Sequence, residues 1–468
     1  MSKRVLISVI VLIVAACLVM SLLAVVGVIS FLRINPAATT VQTEAVPTAQ
    51  VELQTTPQAT AAAEGGISPV ELSAMKKIEQ QTEANRGLSL NGEIQRKLLS
   101  PDQLRQRVME DFLKDYTPAD MAADQKVLSV FGLLPRDFDL KTFYTDLYSE
   151  QIAGFYDDKT NEMVVVQGEG FEGPEKATYA HEFTHALQDE AYDLTNGLKT
   201  DEETCRKDSE YCAAVQSLVE GDATLSEQLW LYNSASQTDR DQLDKFYSTY
   251  QSPVYDSAPA FMQKDFLFPY DQGLNFVLKF YQDGGYAAVD QLFQDPPVST
   301  EQILHPERYP ADKPLKLDMP DLSSTLGQGW EEIDRNNVGE WYTYLILALG
   351  DQESTRLADD VAQKAAEGWG GDTYVVYSGP QQKDVALVYL SQWDTSSDSG
   401  EFWQAFQQYA GKRWGQAAQS SADRLEWSAT PDGAVLLQRD AAGQVLWVVA
   451  PDLATADTLA GQVAGFGQ

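Results

Sequence analysis

The sequence predicts a helix-rich α+β protein in three parts: one membrane-spanning helix, a body of helices around a small sheet, and a small C-terminal α+β unit. Three observations carry this. Val5 to Leu32 runs apolar without a charge, longer than the ~20 residues needed to cross a bilayer core. From Pro69 onward apolar residues recur three or four apart, interrupted by one pair of β-prone runs. From about Val338 the order becomes hairpin, helix, hairpin, helix.

The N-terminal segment 1–34 reads as an uncleaved anchor. Lys3 and Arg4 precede the apolar run and only Arg33 follows closely, which puts the N-terminus in the cytoplasm and the body on the outer face of the cell membrane. Two alternatives stay open: a cleaved signal peptide, and lipidation at Cys17 after the box Val14-Ala15-Ala16. Residues 35–68 are rich in Ala, Thr, Gln and Pro and read as a flexible stalk.

The body is expected to span 69–337. Ser100-Pro101 and Thr117-Pro118 mark helix starts, an N-cap followed by Pro at the first helical position. Helices follow at 102–112, 118–131 and 140–147, and their apolar faces make the region before Ile152 part of the fold. Ile152 to Tyr156 and Met163 to Val166 flank a turn-rich Asp157 to Asn161 and form a hairpin. Met163 to Val166 is either an edge strand that receives an extended peptide or an ordinary strand over the core. Further helices are expected at 174–193, 213–231, 270–282 and 286–293. Cys205 and Cys212 sit close together in a charged stretch, as a local disulfide in an exported protein or as two free thiols. The unit 338–468 carries hairpins at 374–390 and 435–449. Gly368-Trp369-Gly370-Gly371-Asp372 reads as a structural turn.

Charge excludes one class of partner. With 34 basic and 69 acidic residues the chain carries a formal charge of -35, which repels nucleic-acid phosphates.

His181-Glu182-Phe183-Thr184-His185 is an H-E-x-x-H motif in a helical setting. Residues four apart share a helix face, so the two imidazoles can grip one Zn²⁺. Glu182 lies one position round the helix, within reach of a water on the metal, as a general base. The chain holds three histidines in all, and two fall in this motif, which argues against coincidence. A catalytic zinc takes three protein ligands and leaves one position open. A third histidine six residues on is absent: Ala191 stands there. Glu220 is the expected third ligand, because a carboxylate in the apolar stretch Leu218-Val219-Glu220-Gly221-Asp222-Ala223 needs a partner. Asp222 is the rival ligand, or a partner that orients an imidazole N–H. Gly221 is expected to let this helix pack closely on the H-E-x-x-H helix.

These residues resemble the gluzincin clan of zinc peptidases, in which two histidines and a second-helix glutamate hold the metal. Phe268-Pro269-Tyr270-Asp271-Gln272-Gly273 is similar to the Pro-Tyr-x-x-Gly segment of gluzincin aminopeptidases. By that match Tyr270 would donate a hydrogen bond to the oxyanion. The resemblance covers about 152–293 and implies a zincin-like catalytic domain that hydrolyses peptide bonds in a peptide or protein substrate. The Gly-x-Met-Glu-Asn segment of the aminopeptidases is missing, so a free-amine requirement is not implied. The whole chain is similar to membrane-anchored bacterial metallopeptidases. His305 is either a second oxyanion donor and substrate contact, or a helix-end residue. The competing functions are a catalytically silent surface protein that binds peptides or a partner, a scaffold with structural zinc, and a hydrolase for non-peptide substrates at the same metal.

Overall fold

Capping chemistry sets where the helices begin. The computed structural model describes residues 67–111, 116–166, 170–381 and 383–466. The expected membrane helix, Cys17 and nearly all of the stalk lie outside the described residues. No described helix is long and apolar enough to cross a membrane.

Helix α1 (Pro69–Arg86) starts on Ser68, whose hydroxyl accepts from Glu71 N while the Glu71 carboxylate accepts from Ser68 N. Gly87, at φ 80°, ends it in the left-handed conformation that favours glycine. Strand β1 (Gln95–Leu99) leads to α2 (Pro101–Asp111), capped by Ser100, and α3 (Pro118–Val130), capped by Thr117. Both Ser-Pro and Thr-Pro starts therefore behave as expected. Next come α4 (Leu140–Gln151), β2 (Gly154–Asp157), β3 (Glu162–Val166) and α5 (Gly173–Tyr192).

The hairpin forms, but β1 joins it, and the order is β1-β3-β2 with β1 parallel to β3. The strand at 163–166 is thus central, flanked on both sides, and cannot accept a peptide by edge pairing. Short β1, with Gln, Arg and Lys in five residues, carries too weak an alternation to be read as a strand.

The body continues with α6 (Glu202–Lys207), α7 (Ser209–Asn233), α8 (Gln237–Thr249), α9 (Pro253–Asp256), α10 (Ala260–Gly284), α11 (Tyr286–Gln294), α12 (Thr300–Leu304) and α13 (Ser323–Leu326). The rest comprises β4 (Glu331–Asn336), α14 (Gly339–Ala348), α15 (Asp359–Ala366), β5 (Trp369–Ser378), β6 (Val385–Trp393), α16 (Ser396–Trp414), β7 (Gln419–Ser420), β8 (Arg424–Thr430), β9 (Gly433–Arg439), β10 (Val445–Ala450) and α17 (Leu453–Ala460). The described residues thus form a mixed α+β fold with 17 α-helices and two sheets.

The second sheet is antiparallel, in the order β4-β5-β6-β10-β9-β8-β7. It contains β4, which a boundary at residue 337/338 assigns to the body. The sheet is not a separate appendage either. Phe131, just after α3, meets Tyr374 at 5.1 Å and Trp447 at 5.6 Å between ring centroids. Buried residues of α3, α7, α10 and this sheet form one continuous core. The segment 368–372 is not the expected turn: Trp369 to Asp372 open strand β5, with a register irregularity between Trp369 and Gly371. There the Asp372 carboxylate accepts from Val338 N, Gly339 N and Trp369 Nε1 at 2.7–2.8 Å and anchors the start of α14.

Candidate metal centre

Helix α5 owes its full burial to an unusual composition. From Ala177 to Gln188 every side chain is buried, polar ones included. Burying so many polar groups is costly unless each finds a partner, and partners come from α7, which crosses α5, from β2 and from α5 itself. Thr184 Oγ1 donates to Ala180 O and meets Ser226 Oγ, both at 2.9 Å.

At the crossing three ligand-type side chains converge. Glu220 Oε2 lies 3.2 Å from His181 Nε2 and 3.5 Å from His185 Nε2. Single ligand atoms of His181, His185 and Glu220 all fall within 4.8 Å of one another, and all three residues are buried. Glu220 is the third member of the group, as expected, and Asp222 is not. Asp222 lies one shell out, where its carboxylate accepts from Gln188 Nε2 at 2.8 Å. His181 Nδ1 is 3.2 Å from Glu227 Oε2, and His185 Nδ1 is 2.8 Å from Gln188 Oε1. Each imidazole therefore has its Nδ1 engaged behind it and its Nε2 turned toward Glu220, the arrangement that metal-binding histidines need.

The donor set fits a divalent cation. Among the described residues, His185 Nε2 and Glu220 Oε1 are buried without a hydrogen-bond partner, the state that a coordinated ion would relieve. Burial opposes charge on Glu220, but His185 and His181 hold its carboxyl down at about 2. Glu182 behaves differently. Burial pushes it up to about 7 despite both imidazoles, in part because Glu220 is near. Its Oε2 accepts from Tyr156 N at 3.1 Å, while Oε1 has no hydrogen-bond partner among the described residues. A carboxyl with one oxygen held and the other buried without a partner is suited to taking and returning a proton. A cavity of about 100 Å³ opens beside the group, lined by Tyr156, His185, Val215, Gln216, Val219 and Glu220 among others.

Tyr270 is buried, and its ring centroid lies 6.3 Å from that of His181. It does not start a helix. Helix α10 begins well before it, at Ala260, and Pro269 sits in its interior. The helix tolerates that proline because tertiary packing outweighs one lost backbone bond. Gly221 also has a different neighbour from the one expected: it packs on Gly273 of α10, not on α5. The pair brings α10 against the metal-group helix and so carries Tyr270 to the site.

His305 is not brought to this group. It caps the C-terminus of α12, with Nε2 2.9 Å from Glu340 Oε1 and Nδ1 3.8 Å from Glu307 Oε1. The hydrogen bond to Glu340 raises its pKa despite burial. Glu301, Asp312 and Asp394 gather nearby, but Arg308 already reaches all three carboxylates. Three contributors escaped the sequence reading: Gln188, Glu227 and Arg86. Gln188 and Glu227 are polar side chains within partly apolar helical runs, the one signal available, whereas Arg86 ends a polar helix and gives none.

Cys205 and Cys212 form a disulfide that ties α6 to the first turns of α7.

Comparison with known families assigns only the C-terminal part. Residues 325–460 match the model of a domain of unknown function, DUF8575. This segment contains the second sheet from β4 onward and excludes the His181–His185–Glu220 group. No curated protein and no solved structure matches the chain.

Proposed function

We propose that this protein is a zinc-dependent peptide hydrolase of gluzincin type, with a zincin-like body held outside the cytoplasm by its N-terminal segment. The observation that carries the reading is the buried convergence of His181 Nε2, His185 Nε2 and Glu220 Oε2, with Glu182 buried beside it and its Oε1 without a hydrogen-bond partner. His181, His185 and Glu220 would hold Zn²⁺ and leave a position free. When bound, zinc supplies Lewis acidity that polarises a carbonyl and acidifies water.

The chain's own groups do the rest. Glu182 Oε1 takes a proton from the attacking water as its oxygen adds to the scissile carbonyl carbon. The same carboxyl then gives the proton to the leaving nitrogen as the C–N bond breaks. The Tyr156 N–H holds Oε2 and so fixes which oxygen works. Tyr270, against His181, donates its hydroxyl proton in a hydrogen bond to the oxygen that gains charge. Burial excludes bulk water and strengthens each of these interactions. The 205–212 disulfide supports an oxidising compartment. So does the charge asymmetry of the apolar segment at 5–32.

The test is metal analysis and peptide-library cleavage by the detergent-purified full chain, wild type beside Glu220→Ala and Glu182→Gln. The expected result is near-stoichiometric zinc in wild type, lost in Glu220→Ala, and kept in an inactive Glu182→Gln. Zinc without cleavage in wild type would replace the hydrolase with a peptide-binding surface protein. Absence of zinc would overturn the reading.

A further inference from the structure

We infer that Arg86, on the first helix of the body, is a positioning residue for the metal centre: through Asp222 it holds the Gln188 amide that orients the His185 imidazole. The inference rests on the zinc reading above.

Hydrogen-bond direction fixes the tautomer. The Gln188 carboxamide touches three groups: His185 Nδ1, Val219 O and Asp222 Oδ2. A main-chain carbonyl and a carboxylate can only accept, and an amide nitrogen has two hydrogens to give. Nε2 of Gln188 therefore faces Val219 O at 3.0 Å and Asp222 Oδ2 at 2.8 Å. Its Oε1 must then face His185, and oxygen only accepts. So His185 Nδ1 carries the hydrogen, and the lone pair sits on Nε2, toward Glu220. His181 needs no such relay, because Glu227 meets its Nδ1 directly with a carboxylate.

The relay depends on Asp222 standing where Gln188 can reach it, and Arg86 holds it there. Its Nε lies 2.9 Å from Asp222 Oδ1 and 3.0 Å from Oδ2, with both side chains fully buried. Arg86 is itself held: Nη1 donates to Asp290 Oδ1 at 2.8 Å, and the guanidinium lies 4.4 Å from the centroid of the Tyr286 ring. Burial works against its charge, but Asp222, Tyr286 and Asp290 outweigh that and raise its pKa. A neutral apolar residue at 86 would leave Asp222 without its cation. The Gln188 amide would then keep Val219 O but lose the firm second acceptor that holds its carboxamide against His185 Nδ1, and the imidazole would be held less tightly. Helix α1 is thereby wired into a metal ligand that lies far along the chain, beyond the first sheet.

The experiment measures zinc affinity of the full-length protein by chelator competition, the visible spectrum of the cobalt-substituted protein, and the unfolding temperature. The variants are Arg86→Met, Arg86→Lys and Gln188→Leu, with Arg413→Met as a control. Arg413 is a buried arginine of the second sheet's core, packed against Trp414 and Trp447. Arg86→Met and Gln188→Leu are expected to weaken zinc binding ~10–100-fold, the usual effect of losing an outer partner of a ligand, and to alter the cobalt spectrum. Arg86→Lys should recover part of the affinity. Arg413→Met should lower the unfolding temperature and leave zinc affinity unchanged. If Arg86→Met does not fold, Arg86→Lys and Gln188→Leu decide the question. Wild-type affinity and an unaltered spectrum in the folded variants would overturn the role of Arg86 alone. A wild-type protein that binds no zinc would overturn this inference and the zinc reading together.

Discussion

Gly221 and Gly273 meet where α7 crosses α10, with no room between the helices for one methyl group. A Cβ on Gly221 would fall 2.2 Å from Gly273 O, and a Cβ on Gly273 would fall 2.1 Å from Ser217 O. Neither glycine has positive φ, so the requirement is for close approach alone. The crossing sets Tyr270 against His181, and Gly221 directly follows Glu220 of the His181–His185–Glu220 group.

Replacing either glycine with alanine therefore overpacks a backbone contact that cannot flex. Gly221→Ala and Gly273→Ala are each expected to cost ~1–3 kcal/mol or more, read by chemical denaturation. Glycine-to-alanine changes inside helices normally stabilise, so a neutral or stabilising result would show that the helices can part.

Tyr270→Phe removes one hydroxyl and keeps the ring that packs on His181. The expectation is a kcat lower by ~10²–10³, the range for losing an oxyanion donor, with zinc content and unfolding temperature as in wild type. Unchanged kcat would leave Tyr270 as a packing residue.

Glu210, buried at the start of α7, accepts from Thr300 N and Oγ1 at 2.8 Å. Burial nonetheless pushes its carboxyl up to about 8, helped by Asp372 and Asp208. The unfolded chain ionises this group near pH 4.5, while the folded one keeps its proton until about pH 8. Its stabilising contribution is thus complete below pH 4.5 and is lost as pH rises through that window. Unfolding free energies of wild type and Glu210→Gln are expected to diverge across it, with wild type falling further, by a few kcal/mol at ~1.4 per tenfold change in proton affinity. Parallel curves would refute the assignment.

The Cys205–Cys212 disulfide closes a loop with a sequence separation of 7. Loop-closure entropy gives ~2 kcal/mol for a ring of that size. A Cys205→Ser/Cys212→Ser double variant should lose about that much stability and keep the metal content of wild type, because the bridge fastens the start of α7 and touches no member of the His181–His185–Glu220 group. Denaturation midpoints with parallel metal analysis check both halves.

Much of the site was legible in the chain. His181, Glu182 and His185 announce themselves by spacing, since the helical period alone puts the two imidazoles on one face. Glu220 was legible because a carboxylate within an apolar helical run has to be satisfied. The helices at 118–130 and 140–151 were legible because Thr117-Pro118 and the apolar periodicity act locally. What failed were readings that needed a neighbour. The strand at 163–166 was open to reading as an edge because β1, which covers it, has no clear β pattern of its own. Residues 331–336 carry no strand signal of their own and fall on the body side of 337/338, because the bonds that make them β4 go to β5, distant in sequence. His305 looked available because Glu340, which takes its Nε2, lies on another helix.

The sequence by itself determined the His/His/Glu group, the helical spacing of its histidines, the place of Glu182 beside them and the mixed α+β character, all set by local periodicity and by the cost of burying charge. Only the tertiary structure decided which helix Gly221 leans on, where Tyr270 points its ring, and how Arg86, Asp222 and Gln188 line up behind His185. Those depend on which surfaces meet across long stretches of chain. A glycine or a buried polar residue states that something must approach or pair with it, and the packed fold alone names the partner.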